Sequence, residues 1–138
     1  MTRKIKFRAW DKVDKKVRKV MSLDFYNTRQ SEVTLESDGD VYLRYFGQIE
    51  LMQSTGLKDK NGVEIYEGDI VKVTCEYWNK DDFENLEVRY FGDDNYPAFD
   101  LVDSDSDGIN ALSLFTNDSS YQIEIVGNIY ENKELLND

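Results

Sequence analysis

The sequence is constrained most by short segments in which apolar and polar residues alternate and which are followed by turn-forming residues. In the first segment Ile5, Phe7 and Ala9 alternate with basic residues, so these three share one face of a strand. Residues 11–16 form a polar stretch, and residues 17–23 return to a strand pattern. The chain is therefore predicted to open with a hairpin whose outer face is basic.

The same pattern continues along the chain. Asp38-Gly39 joins two alternating runs, and this dipeptide is a strong hairpin signal because Gly accepts positive φ. The clearest strand is 70–75, which is rich in β-branched residues. Further strands are predicted over 86–91, 98–102 and 121–130, and short helices over 109–115 and, with Asn132 as N-cap, over 132–137. The pattern predicts a mainly β, β-rich α+β fold, with a small SH3-like barrel or sandwich core, hairpin extensions and one or two short helices.

The length of 138 residues fits one compact domain, and no Pro- or Ser-rich linker divides the chain. We therefore expect a single unit over 1–138. A sub-boundary near 50–55 is also compatible with the sequence, and it would separate an N-terminal hairpin region from a C-terminal barrel-like region.

The composition excludes the commonest catalytic side-chain combinations. There is no histidine, so Ser/His, Cys/His and histidine-based metal chemistry are ruled out. The single cysteine, Cys75, continues the apolar alternation of its strand and is predicted to pack as a small hydrophobic residue. We expect no enzyme, no catalytic residue and no cofactor.

The charge of −11 is unevenly distributed. Residues 1–20 hold nine basic and two acidic residues, a net of +7, whereas residues 21–138 carry −18. Two copies could meet head to tail through these opposite charges, or both surfaces could simply be solvated. The acidic body makes nucleic acid an unlikely general partner. No long apolar segment or signal peptide is present, so we expect no membrane association and a cytoplasmic location.

Three separated blocks together resemble the YopX family of phage and prophage proteins. They are IKFRAWD at 5–11, LMQSTGLKDKNG at 51–62 continuing as EIYEGDIV at 64–71, and IVGNIYEN at 125–132 followed by Leu135 and Leu136. The resemblance implies a small phage or prophage protein of the bacterial host cell, with a homo-oligomeric assembly. It implies no established activity and provides no catalytic residues to transfer.

Two motifs within these blocks have alternative interpretations. Glu64, Glu67 and Asp69 could form a paired-carboxylate site, which needs carboxylates held across one substrate. The alternative is ordinary tight-turn chemistry around Gly68. The polar stretch 52–57 could contact a ligand, but its Ser, Thr and Gly residues more often satisfy backbone groups in a turn.

An acidic loop is the clearest candidate for metal binding. Asp103, Asp105 and Asp107 precede Gly108 at positions 1, 3 and 5 of a calcium loop of the EF-hand kind. Leu114 occupies position 12, where a bidentate Glu should close the coordination sphere. The loop is therefore a weak candidate for calcium, and a solvated acidic turn is favoured.

Several functions remain compatible with the sequence. The first is a non-enzymatic accessory protein that self-associates and acts through contacts with a host or phage protein. The alternatives are an acidic mimic of DNA that inhibits a host nucleic-acid-binding protein, a weak calcium-binding module, and direct nucleic-acid binding through the basic residues 3–19. Most of the 18 aromatic residues are expected in the core or in a subunit interface.

Overall fold

The computed structural model describes residues 6–25, 31–91, 98–102 and 111–136, without the side chains of residues 113 and 114. The chain divides into two compact units, Met1–Ser54 and Thr55–Asp138, called here unit 1 and unit 2.

Unit 1 is an antiparallel sheet with the strand order β4-β3-β2-β1-β5. Its elements are β1 (Phe7–Asp11), β2 (Lys16–Asp24), β3 (Glu32–Ser37), β4 (Asp40–Tyr45), a 3₁₀ helix (Phe46–Gln48) and β5 (Ile49–Lys58), whose last residues belong to unit 2. The predicted Asp38-Gly39 turn connects β3 and β4, and both residues have positive φ, 54° and 87°. This conformation matches the right-handed twist of the flanking strands, as in two-residue hairpins.

The core of unit 1 lies on one face of this sheet. Its fully buried members come from β1, β3 and the start of β5: Ala9, Val33, Leu35 and Ile49. The predicted alternation of β1 is confirmed for Phe7, which is half-buried, and Ala9, which is buried. Ile5 lies outside the described residues.

Unit 2 contains a second antiparallel sheet with the strand order β10-β7-β8-β9. Its elements are β6 (Glu64–Tyr66), which neighbours β5, then β7 (Asp69–Cys75), β8 (Glu84–Tyr90), β9 (Phe99–Val102), α1 (Ala111–Asn117), β10 (Tyr121–Asn128) and a 3₁₀ helix (Lys133–Leu136). The register of β10 on β7 shifts between Ile125 and Gly127, which places a bulge where Gly interrupts the strand.

The core of unit 2 consists of branched side chains from its strands together with Leu112 of α1, which is fully buried. The buried members are Ile65, Val71, Val73, Val88, Leu101, Leu112 and Ile123. Helix α1 therefore covers the apolar face of the second sheet, since it contacts both β9 and β10.

The mainly β prediction is confirmed, and neither sheet closes into a barrel within the described residues. Two strands were missed. The stretch 52–57, predicted as turn-like, forms the middle of the ten-residue strand β5, and Glu64–Tyr66 forms β6. Alternation is obscured in β5 because residues on both of its faces are buried, including Met52 and Thr55. No helix among the described residues is long and apolar enough to span a bilayer.

Candidate functional site: a basic hairpin tip and an acidic pocket

The connection between β1 and β2, residues 12–16, is called here the hairpin tip. Its backbone is fixed at both ends. The N–H of Lys15 donates to the carbonyl of Asp11 over 2.7 Å, and the N–H of Lys12 donates to the carbonyl of Gln48 over 2.9 Å. Lys15 has a φ of 56°, so the turn closes through a left-handed residue.

Two acidic and two basic side chains at the base of the tip form what is called here the ion cluster: Asp11, Asp14, Arg18 and Arg44. Arg18 donates through Nη1 to both carboxylates. Arg44 Nε lies 3.0 Å from Asp11 Oδ1, and Arg44 Nη2 lies 3.0 Å from Asp14 Oδ2. The side chains of Asp11 and Arg18 are 0% and 4% exposed, so this pair lies in the interior of unit 1, whereas the side chain of Asp14 is 41% exposed.

The carboxylate of Asp11 also orders the turn. Asp11 Oδ1 accepts the backbone N–H of Val13 over 3.0 Å. Burial by itself raises the pKa of the Asp11 carboxyl, but the hydrogen bonds from Arg44, Val13 and Arg18 outweigh burial and hold the pKa below its usual value. Asp11 therefore couples the conformation of the hairpin tip to the interior of unit 1.

Tyr42 of β4 supports the two cations of the cluster. Its ring centroid lies 3.9 Å from the guanidinium carbon of Arg18 and 5.6 Å from that of Arg44. Burial by itself lowers the pKa of Arg18, but the hydrogen bonds to Asp14 and Asp11 outweigh burial and hold the pKa above its usual value. The guanidinium therefore stays charged. The predicted basic outer face therefore needs a correction: Arg18 points into the unit, where the carboxylates neutralise it.

Three of the exposed basic residues of unit 1 lie in the tip, and Lys6 and Lys19 are exposed outside it. Lys15 and Lys16 are exposed, and neither forms an ion pair with a described residue. Lys12 pairs with Glu50 over 3.0 Å. Val13, between these lysines, is 53% exposed. The hairpin tip thus presents one apolar side chain beside two unpaired positive charges.

The connection between β7 and β8 in unit 2 forms a cavity of about 520 Å³, called here the acidic pocket. Its walls are two aromatic and three acidic side chains: Trp78, Asp81, Asp82, Phe83 and Glu84. Backbone hydrogen bonds of 3.0 Å from Trp78 to Cys75 and 2.9 Å from Asp82 to Asn79 fold this connection into successive turns. Sequence reasoning did not single out these residues, although the segment 77–84 contains three aromatic and three acidic residues.

The three carboxylates of the pocket make no ion pair with any described residue. The indole of Trp78 is held edge-on against Tyr121, with ring centroids 6.4 Å apart. Lys72 Nζ lies 4.7 Å from the centroid of the Phe83 ring, which shows that this aromatic wall accommodates a cation. Aromatic faces beside unpaired carboxylates suit a positively charged ligand that also has an apolar part.

For Glu64, Glu67 and Asp69, the structure supports the tight-turn interpretation at Asp69. Asp69 is buried, and its Oδ2 accepts the backbone N–H of Tyr66 over 2.8 Å, so this carboxylate closes the turn around Gly68, whose φ is 88°. Glu64 and Glu67 each have interactions of their own. Within the described ranges no group of three Asp, Glu, Cys or His residues is arranged to hold a metal ion. The calcium candidates Asp103, Asp105 and Asp107 lie outside those ranges. Cys75 is a free, half-buried thiol.

Residues of the second sequence block mainly satisfy backbone groups. Thr55 Oγ1 donates to the carbonyl of Ile65 over 2.7 Å. Asp59 accepts three backbone N–H groups, from Asn61 and Val63 at 2.9 Å each and from Ile125 at 3.1 Å. Asp59 thereby joins the second block to the third.

The third block contains a close approach between Gly127 and Asn132. A Cβ added at Gly127 would lie 2.5 Å from Asn132 Oδ1. That oxygen accepts the N–H of Asn128 over 3.2 Å, so the side chain of Asn132 closes the preceding turn. Only Gly allows this approach, which explains its position in the block. Asn132 directly precedes the 3₁₀ helix as predicted, and its backbone carbonyl accepts the N–H of Leu135 over 2.9 Å.

Comparison with known proteins places these blocks in one family. The model of the family described as YopX protein matches residues 6–137. The chain belongs to the YopX family. Searching curated proteins gave no match.

Two solved structures resemble this YopX-family chain. Protein EF1440 from Enterococcus faecalis is 29% identical, with a TM-score of 0.63, and the alignment covers 98% of this chain and 99% of that one. Protein yopX from Bacillus subtilis is 20% identical, with a TM-score of 0.55, and the alignment covers 95% and 97% of the two chains. The second comparison shows a shared fold. The predicted family resemblance is therefore confirmed over nearly the whole chain.

Proposed function

We propose that this YopX-family protein is a non-enzymatic accessory protein that self-associates head to tail and acts through protein contacts in the cytoplasm. The observation that carries the proposal is the opposite charge of the two units. Unit 1 holds eleven basic and eight acidic residues, a net of +3, whereas unit 2 holds six basic and twenty acidic residues, a net of −14. Oppositely charged surfaces attract when the positive unit of one copy meets the negative unit of the next.

The distribution of paired and unpaired charge supports the same proposal. In unit 1 the ion cluster neutralises its own arginines, so the remaining unpaired charge includes Lys15 and Lys16 at the hairpin tip. Because the two surfaces differ, the contact is heterologous, and repetition of it produces a closed ring or an open chain of copies.

The test is the mass of the full-length protein by size-exclusion chromatography with light scattering at two salt concentrations. At about 0.05 M NaCl charges interact over more than 10 Å, whereas at about 1 M the screening length falls to about 3 Å. We expect a multiple of the 16.2 kDa chain mass at low salt and a lower mass at high salt. A monomer at both salt concentrations, or a mass that salt leaves unchanged, would overturn the proposal.

A further inference from the structure

We infer that the acidic pocket of one copy receives the hairpin tip of a second copy, with Val13 against the aromatic wall and Lys15 and Lys16 beside the carboxylates. This inference rests on the proposed head-to-tail association and assigns the surfaces that form it.

The two surfaces are chemically complementary. The tip offers an exposed apolar side chain, Val13, followed by Lys15 and Lys16, which have no ion-pair partners among the described residues. The charge of Asp14, which lies between Val13 and Lys15, is neutralised by Arg18 and Arg44. The pocket offers the converse, namely the rings of Trp78 and Phe83 surrounded by three carboxylates without such partners. Bringing the two together pairs charges on both sides and covers apolar surface, which neither surface achieves alone.

The hairpin tip is preorganised for binding. The side chain of Asp11 accepts the N–H of Val13, and its backbone carbonyl accepts the N–H of Lys15. Arg18 and Arg44 both donate to the same side chain and fix its position. A turn that is already ordered loses little conformational entropy when it binds. The ion cluster therefore positions the lysines for association, and of its four members only Asp14 is exposed at the tip.

The pocket wall has separate places for the apolar and the charged groups. Lys72 Nζ lies 4.7 Å from the centroid of the Phe83 ring, so this ring already carries one cation of its own chain, and the incoming lysines are assigned to the carboxylates. The pocket of about 520 Å³ is large enough for side chains of a turn rather than for a single ion. Its three carboxylates provide acceptors for the two incoming lysines.

The experiment is a charge exchange within the full-length chain. Lys15→Glu with Lys16→Glu, or Asp81→Lys with Asp82→Lys, places like charges opposite each other, and we expect each pair to weaken association by about a hundredfold or more. The four substitutions in one chain restore opposite charges, so we expect association to recover. Sedimentation or light scattering over a dilution series measures the change, and circular dichroism confirms that each variant is folded.

Two matched variants control for net charge. Lys58→Glu with Lys133→Glu changes the net charge by the same amount as the charge reversal at Lys15 and Lys16. Asp24→Lys with Glu134→Lys changes it by the same amount as the charge reversal at Asp81 and Asp82. All four control residues are exposed and carry no ion pair to a described residue. We expect both controls to associate like wild type.

The outcomes separate the two proposals. A wild-type chain that is monomeric at every salt concentration overturns the proposed function and, with it, this contact. Association that persists in the tip and pocket variants, or fails to recover in the fourfold variant, overturns this contact and leaves head-to-tail association through other surfaces standing.

Discussion

Arg44 of β4 donates from Nε to Oδ1 of Asp11, the last residue of β1, over 3.0 Å and across 33 positions of sequence. The carboxylate that receives this bond also accepts the N–H of Val13. The bond thus connects the far side of the first sheet to the hairpin tip, and the surface proposed to mediate association depends on a buried pair of charges.

Replacement of Asp11 by Asn should destabilise the protein by about 3–5 kcal/mol, because the buried guanidinium of Arg18 and the half-buried guanidinium of Arg44 then keep only the half-exposed carboxylate of Asp14 as an anionic partner. Denaturant unfolding measures the change. Asp14→Asn is the matched control: its side chain is 41% exposed, so the cost should stay within about 1 kcal/mol. Equal stabilities of the Asp11 and Asp14 variants would show that the buried cluster does not support the fold.

The free energy of unfolding should depend on pH through the carboxylate of Asp11. Its pKa in the folded protein lies below the ordinary value of 3.8, so the unfolded chain binds the proton more tightly. The stabilisation from Asp11 is therefore fully present above the unfolded pKa and is lost as the pH falls through the folded pKa. Acid titration of unfolding should show the difference between wild type and Asp11→Asn shrinking below about pH 4. A difference that grows on acidification would contradict this sign.

Gly127→Ala should cost about 1–3 kcal/mol, because the added Cβ would meet the side chain of Asn132 at 2.5 Å. Asn132→Gly in the same chain removes the opposing atoms, so the double variant should lose less than the sum of the two single changes. Gly47→Ala provides a control, since no atom lies within 4 Å of its added Cβ. Additive losses in a thermal unfolding cycle would argue against the contact.

Asp59→Ala should destabilise unit 2 by about 2–4 kcal/mol, since three backbone N–H groups lose their acceptor. Asp118→Ala removes an acceptor for one N–H, that of Ser120, and should cost about 1 kcal/mol. Thermal unfolding of the two variants side by side makes the comparison. A larger loss for the Asp118 variant would contradict the role given to Asp59.

The sequence predicts most strands of this fold because one face of each carries the core, as Phe7 and Ala9 illustrate in β1. Strand β5 was missed because burial on both faces removes the alternation on which the prediction depends. The candidate site was predicted only in part. The basic hairpin is visible as a run of Lys and Arg, but the inward direction of Arg18 depends on Arg44 and Tyr42, which lie far away in sequence.

The acidic pocket was not predicted for a related reason. A cluster of acidic residues and aromatic residues is ordinary on a surface, and only the fold of the β7–β8 connection turns Trp78 and Phe83 toward the same cavity as the carboxylates. Neither the turn geometry nor the absence of ion pairs between these carboxylates and the described residues can be deduced from composition.

The most direct test of the account is a mixing experiment with two variants that each lack one surface. Lys15→Glu with Lys16→Glu leaves the pocket intact, and Asp81→Asn with Asp82→Asn and Glu84→Gln leaves the tip intact. By light scattering at about 0.05 M NaCl, each variant alone should be a monomer of about 16 kDa, and the equimolar mixture should form a dimer of twice that mass. Assembly of either variant alone, or a mixture that stays monomeric, would contradict head-to-tail association through the hairpin tip and the acidic pocket.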